Sequence, residues 1–156
     1  MRAYLISAVF FLTACTPQQE VTRRFDNWTG FAEIVTEEYE ILRNATAIMT
    51  VRGVVIEREG QRAFAVFTSI RRLAPNGPIL RAMYSGNTRL NYVRHDRLWT
   101  QCTDRCRPTE TGAIQMTETA FRMASKTGLR LRVSGRRGRY EATIPAGLFQ
   151  TALNAV

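Results

Sequence analysis

Three groups of residues in this 156-residue chain have the types and spacing to do chemistry. The first is Cys102-Thr103-Asp104-Arg105-Cys106, whose two thiols are close enough to pair or to act as a dithiol. A redox or copper-binding dithiol needs a lowered thiol pKa or soft companion ligands. The spacing here is CxxxC rather than CxxC, no thioredoxin-like βαβ pattern surrounds it, and the only histidine, His95, lies seven residues upstream. A structural disulfide between Cys102 and Cys106 is the expectation, with thiol redox or metal handling as the alternative. The loop it closes is short, so its stabilisation sits low in the usual disulfide range.

The second group is a run of arginines, Arg130, Arg132, Arg136, Arg137 and Arg139. Guanidinium forks suit phosphate and carboxylate bidentately. Arg132 is expected to face Glu141 and be neutralised, which leaves Arg130, Arg136, Arg137 and Arg139 as the anion-binding candidates. Nucleic acid is not expected, because the aromatics that a single-strand binder interleaves with its arginines are missing apart from Tyr140. Anionic lipid head groups or a protein partner fit better. The third group is acidic. His95-Asp96 looks like half a triad, yet neighbours on a strand point to opposite faces. Glu37-Glu38 and Glu57/Glu59 could serve as acid and base, but read more simply as an exposed polar face. The chain has no G-x-S-x-G elbow, P-loop, G-x-G-x-x-G, H-E-x-x-H or EF-hand loop. The expectation is a non-enzymatic protein with no catalytic residues, no metal and no cofactor.

The elements that carry these residues read as antiparallel hairpins. Phe31 to Leu42 suits either a helical face or a strand, and its Ile-Val-Thr run favours a strand. Thr46 to Glu59 and Arg62 to Arg71 form the next pair, with Gly60-Gln61 as a two-residue turn. Ile79 to Tyr84 and Leu90 to Trp99 are further strands, separated by Ser85-Gly86-Asn87-Thr88. Thr117-Glu118-Thr119 opens a helix with Ala120, Phe121 and Ala124 inward and Gly128 as its C-terminal cap. Leu129 to Ser134, a Gly135-Arg136-Arg137-Gly138 turn and Arg139 to Ile144 make a hairpin. Pairing Ser134 with Arg139 puts every apolar side chain on one face. Pro145 suits the first turn of a last helix, Ala146 to Asn154, with an apolar stripe of Leu148, Phe149, Ala152 and Leu153. The fold class is α+β, mainly antiparallel β: a curved sheet or small sandwich or barrel with one or two short helices near the C-terminus.

The N-terminus adds a location. Arg2 precedes ten residues, Ala3 to Leu12, of which only Ser7 is polar. The run is too short to span a bilayer and the right length for a signal-peptide apolar region. Leu12-Thr13-Ala14-Cys15 then resembles the lipobox of bacterial lipoproteins at all four positions. The resemblance covers the leader only. It implies cleavage before Cys15, diacylglycerol on its sulfur, and an added acyl (palmitate-like) chain on the new amino terminus, a membrane anchor that several acyl chains make durable. Thr16 in place of Asp implies the outer membrane, facing the periplasm. The resulting organisation is 1–14 signal peptide, 15–22 lipidated cysteine and polar tether, and 23–156 a single β-rich domain. Two N-x-T sequons, at Asn27 and Asn44, carry no meaning in such a protein.

Composition agrees with one folded domain: 45% hydrophobic, 22% charged, 10 Gly and 5 Pro. The net charge of +9 is lopsided, with eight acids and five bases from Cys15 to Gly60 against five acids and sixteen bases from Gln61 to Val156. Such a basic half favours anionic partners. Of the 22 basic residues 21 are arginine, which a codon bias would also produce.

Overall fold

Three long strands form the middle of the molecule, and their apolar alternation sets everything else. In the computed structural model, which describes residues 20–26, 31–74, 80–95, 99–101, 107–135 and 138–156, these strands are β4 (Ala47–Arg58), β5 (Gln61–Arg72) and β10 (Arg107–Met116). Shorter strands extend the sheet on both sides. On one side β2 (Phe31–Thr36) and β3 (Tyr39–Arg43) pair with successive halves of β4, and β1 (Val21–Asp26) pairs with β2. On the other, β8 (Asn91–Arg94) and β9 (Trp99–Gln101) pair with successive parts of β10. A second sheet runs in the order β12 (Gly138–Ile144), β11 (Leu129–Gly135), β6 (Leu80–Ser85), β7 (Thr88–Arg89). All pairs are antiparallel, and neither sheet closes into a barrel. The fold is α+β and mainly antiparallel β, with two short helices, α1 (Glu118–Thr127) and α2 (Ala146–Asn154).

Residues Ala47, Met49, Val51 and Val55 point from β4 into the core, opposite Ile70, Thr68 and Phe64 of β5. Ile48 and Val54 are also buried, on the outer face of β4 that Thr50 and the exposed Arg52 share. Helix α2 lies across β4 and β2, and Gly53 is where it comes closest. A Cβ there would sit 2.9 Å from Leu148 Cδ2. Phe64 of β5, Phe121 of α1 and Phe149 of α2 join three elements, with ring centroids 5.3 Å and 5.0 Å apart. Edge-to-face and tilted pairs of this kind add about 0.5–1.5 kcal/mol to their area burial. Thr117 caps α1 by accepting from the Ala120 N–H at 3.2 Å. Gly128, at φ 73°, ends it by donating to the Ala124 carbonyl at 2.8 Å, a conformation open to glycine and strained in other residues.

Two polar contacts lock the sheets together. Thr46 Oγ1 and Tyr140 OH are 2.9 Å apart, joining the start of β4 to β12. Glu110, buried on the core side of β10, accepts from the Leu80 N–H at 2.7 Å where β6 begins, and its other oxygen is 3.9 Å from Arg72 Nε.

The C-terminal hairpin has the expected register throughout, with Ser134 opposite Arg139 and Leu131 opposite Ala142. Other expectations shift. Phe31 to Leu42 is two strands, not one, because Glu37-Glu38 interrupts the pairing with β4. The Thr36 hydroxyl takes over there, accepting from the Gly53 N–H at 2.9 Å. The β4–β5 turn is Glu59-Gly60, both at positive φ (53° and 76°), rather than Gly60-Gln61. Two positive φ values match the twist of the flanking strands, and this register brings Glu57 to 2.8 Å from Arg62. Leu90 to Trp99 divides into β8 and β9, the chain leaving the small sheet at β7 and entering the large one at β8. Ala120 is exposed, while Phe121 and Ala124 are buried. Val21 and Thr22, assigned to the tether, belong to β1, and β10 has no counterpart among the expected elements.

Candidate functional site

The outer face of the small sheet is built by alternation. Leu131, Val133, Met83, Ala142 and Ile144 are buried on its inner side. The residues between them therefore face outward: Arg130 and Arg132 on β11, Tyr84 on β6, and Arg139, Glu141 and Thr143 on β12. Pairing of β6 with β7 adds Arg89, so that Arg89, Tyr84, Arg132 and Glu141 form one row across four strands. At about 4.8 Å per strand such a row spans roughly 14 Å. A bulge between Ser134 and Gly135 leaves Arg81 without a register partner and exposed at the start of β6.

Arg132 does face Glu141 in the register, as expected, but the two make no ion pair within 4 Å. Its guanidinium lies over the Tyr84 ring instead, 5.0 Å from the centroid. Stacking holds an arginine in place without consuming its charge. Arg81, Arg89, Arg130 and Arg139 likewise have no ion-pair partner among the described residues, and Glu141 is the single acid on these four strands. The arrangement presents one guanidinium held by stacking, Arg132, and exposed, unneutralised ones around it that can donate to phosphate or carboxylate oxygens. Arg136 and Arg137 lie outside the described residues, as do Cys15, Cys102 and Cys106. Tyr84 and Arg89 were not among the expected site residues. Each is unremarkable alone, and only the long-range pairing of β6 with β11 brings them to the arginines.

The outer face of the large sheet differs. Residues Thr22 and Arg24 on β1 and Thr111 on β10 line one depression of about 640 Å³. Those strands are four spacings apart, about 19 Å in a flat sheet, so this face is concave. Glu38 stands on its wall and accepts from the Thr50 hydroxyl and from Arg52 Nη2 at 2.8 Å. The Thr50 hydrogen bond and then the Arg52 guanidinium hold its carboxyl below the ordinary value of 4.5. Phe67 lies on the floor with its ring against the edge of His95, centroids 5.6 Å apart.

Of the acid–base candidates of the sequence, Glu37 and Glu38 both line this depression, whereas Glu57 and Glu59 each lie against an arginine. Glu57 is bonded to Arg62, Glu59 sits in the turn 3.9 Å from Arg58, and Glu38 is held as above. His95 is exposed, its backbone N–H donating to the Thr111 carbonyl, and Asp96 lies outside the described residues. Asn44 of one sequon accepts from the Thr46 and Ala47 N–H groups and shapes the turn into β4. Among the described residues no three His, Cys, Asp or Glu come together to hold a metal, and no helix is long and apolar enough to cross a membrane.

Fold and surfaces thus describe an antiparallel α+β domain with two unlike polar faces. Comparison with known protein families, curated proteins and solved structures finds no match to this chain.

Proposed function

We propose that the chain is a lipid-anchored protein of the bacterial cell envelope, held through Cys15 to the outer membrane and facing the periplasm. In this reading it acts without catalysis, as a binding module whose arginine face takes anionic groups, the phosphates of lipid head groups first among them. One observation carries the binding part: Arg89, Arg130, Arg132 and Arg139 share a sheet face with one acid and, among the described residues, no ion pair. The Leu12-Thr13-Ala14-Cys15 sequence supports the anchor. The strands flanking Cys102 and Cys106 pair antiparallel at Gln101 and Arg107, which supports a disulfide between them over an open dithiol.

Two measurements test this. The intact mass of protein from its native membrane should begin at Cys15, carry a lipid, and gain two alkyl groups only after reduction. A full-length mass with three freely alkylating thiols would overturn the location. For the face, the Cys15→Ser chain should sediment with phosphatidylglycerol vesicles and not with phosphatidylcholine alone, and added salt should weaken the binding. Equal binding to neutral vesicles removes the role given to the arginines, and turnover abolished by replacing one polar residue removes the non-catalytic reading.

A further inference from the structure

The depression on the large sheet has the size of a small-molecule site, 640 Å³ against the roughly 300–1,000 Å³ usual for ligand pockets. Its chemistry is unlike that of the arginine face. Lining it are three carboxylates, Glu33, Glu37 and Glu38, and two guanidiniums, Arg24 and Arg52, so its charge is close to balanced. A strongly anionic or cationic ligand gains little there. Arg24 and Glu33 stand opposite each other in the β1–β2 register, yet among the described residues neither makes an ion pair, and Ser69 and Thr22 have hydroxyls with no hydrogen-bond partner there. The depression thus offers donors and acceptors in alternation around an apolar centre.

That centre is Phe67, half-buried, flanked in its cross-strand row by Arg52 and by Ala113. Ala63, Ala65, Ala113 and Ser69 keep the surrounding surface of β5 and β10 low, while the His95 ring packs against Phe67 in a T-shaped arrangement, centroids 5.6 Å apart. Glu38 is fixed by Thr50 and Arg52, and each of its oxygens retains a lone pair for a further donor. A fixed ionised carboxylate accepts hydroxyl protons strongly, and a partly exposed ring receives an apolar C–H face. One ligand class carries hydroxyl donors round its rim, apolar C–H faces and no net charge.

We infer that the concave face of the large sheet is a binding site for a neutral oligosaccharide. A sugar ring lies on Phe67, its hydroxyls donating to Glu38 and Glu33 and accepting from Arg24 and Arg52. The site is separate from the arginine face and does not depend on the function proposed for it.

The test uses the full protein in zwitterionic detergent micelles, since maltoside detergents would compete. Chitotetraose, cellotetraose and maltotetraose are titrated by calorimetry and by amide chemical shifts. At least one is expected to bind saturably, moving the amides of Thr50, Phe67 and Ser69 and leaving those of Arg130 and Arg132 in place. Phe67→Ala should weaken it about tenfold, the loss of one ring contact of roughly 1.4 kcal/mol, whereas Phe67→Tyr keeps the platform and most of the affinity. Glu38→Gln should weaken it severalfold, and gives a second reading if Phe67→Ala fails to fold. No saturable binding by any of the three, or binding that Phe67→Ala and Glu38→Gln leave unchanged, overturns the proposal. So does inositol hexakisphosphate displacing the sugar from these same amides, which would make the depression an anion site.

Discussion

Arginines on the two sheets differ in how many of them are paired. Among the described residues of the large sheet, Arg43, Arg52, Arg62 and Arg72 each have a carboxylate partner, in Glu40, Glu38, Glu57 and Glu110, while Arg23, Arg24 and Arg71 make no ion pair within 4 Å. On the small sheet Arg89, Arg130, Arg132 and Arg139 have none, and the stacking of Arg132 on Tyr84 fixes its position without cancelling its charge. Among the described residues, the arginine–carboxylate pairs of the two sheets thus all lie on the large one, and the small sheet carries unpaired arginines alone. The lesson is that counting basic residues locates no surface; what matters is which of them the fold leaves without an acid.

Four variants would break or sharpen this comparison. The largest effect is expected at Glu110, where an alanine strands the Arg72 guanidinium and the Leu80 N–H in the interior. Losing one partner of a buried pair costs about 3 kcal/mol or more, and urea unfolding of Glu110→Ala should show it with vesicle binding intact in the folded fraction. Next comes the converse on the small sheet. Arg130→Gln with Arg139→Gln should change stability by less than about 0.5 kcal/mol, as surface changes do. The same pair should weaken binding to phosphatidylglycerol vesicles about thirtyfold, from roughly 1 kcal/mol per basic residue. Unchanged vesicle binding would end the distinction between the sheets. Tyr84→Leu should cost about 0.5–1 kcal/mol of stability through the lost cation–π contact, detectable as a lower urea midpoint.

The smallest effect concerns pH. Glu38 is held below its ordinary value of 4.5 by the Thr50 hydroxyl and then by Arg52. Its contribution is therefore present above pH 4.5 and lost as pH falls through the depressed folded value. Because the group is partly exposed and screened, the contribution is about 0.5 kcal/mol. Glu38→Gln should flatten the acid limb of the stability profile by that amount, measured as urea midpoints at successive pH values. A profile identical to that of the unaltered protein would show that the Glu38–Arg52 pair is not cohesive.

Local pattern made the C-terminal third legible. Its hairpin, its two helices and the Gly128 cap follow from periodicity and turn chemistry acting over a few residues, and the arginine run stands out by its density alone. What stayed hidden depends on pairings between distant segments. Strand β10 carries Pro108, two threonines, Glu110 and Gly112 in its first six residues, a poor strand by composition, and becomes central because β5 and β8 pair with it. Gly112 is required rather than tolerated, since a Cβ there would lie 2.3 Å from the Tyr92 hydroxyl. Tyr84 and Arg89 escaped for the same reason, and so did the concave face, whose Thr22, Glu38, Arg52 and Phe67 come from four separate strands and turns.

The two-residue turn between β4 and β5 also implies an order of assembly. Its twelve-residue strands need no long loop to meet, and hairpins of this kind close in about 1–10 μs. Every other partner of β5 must wait, because β10 returns to it across roughly forty residues, and closure entropy grows with that separation. The hairpin is thus the template on which the rest of the large sheet is laid. Glu59 is its weak point, a non-glycine residue held at φ 53°. Glu59→Asn, better suited to that conformation, should quicken refolding more than it slows unfolding, as expected for a position already native-like in the folding transition state.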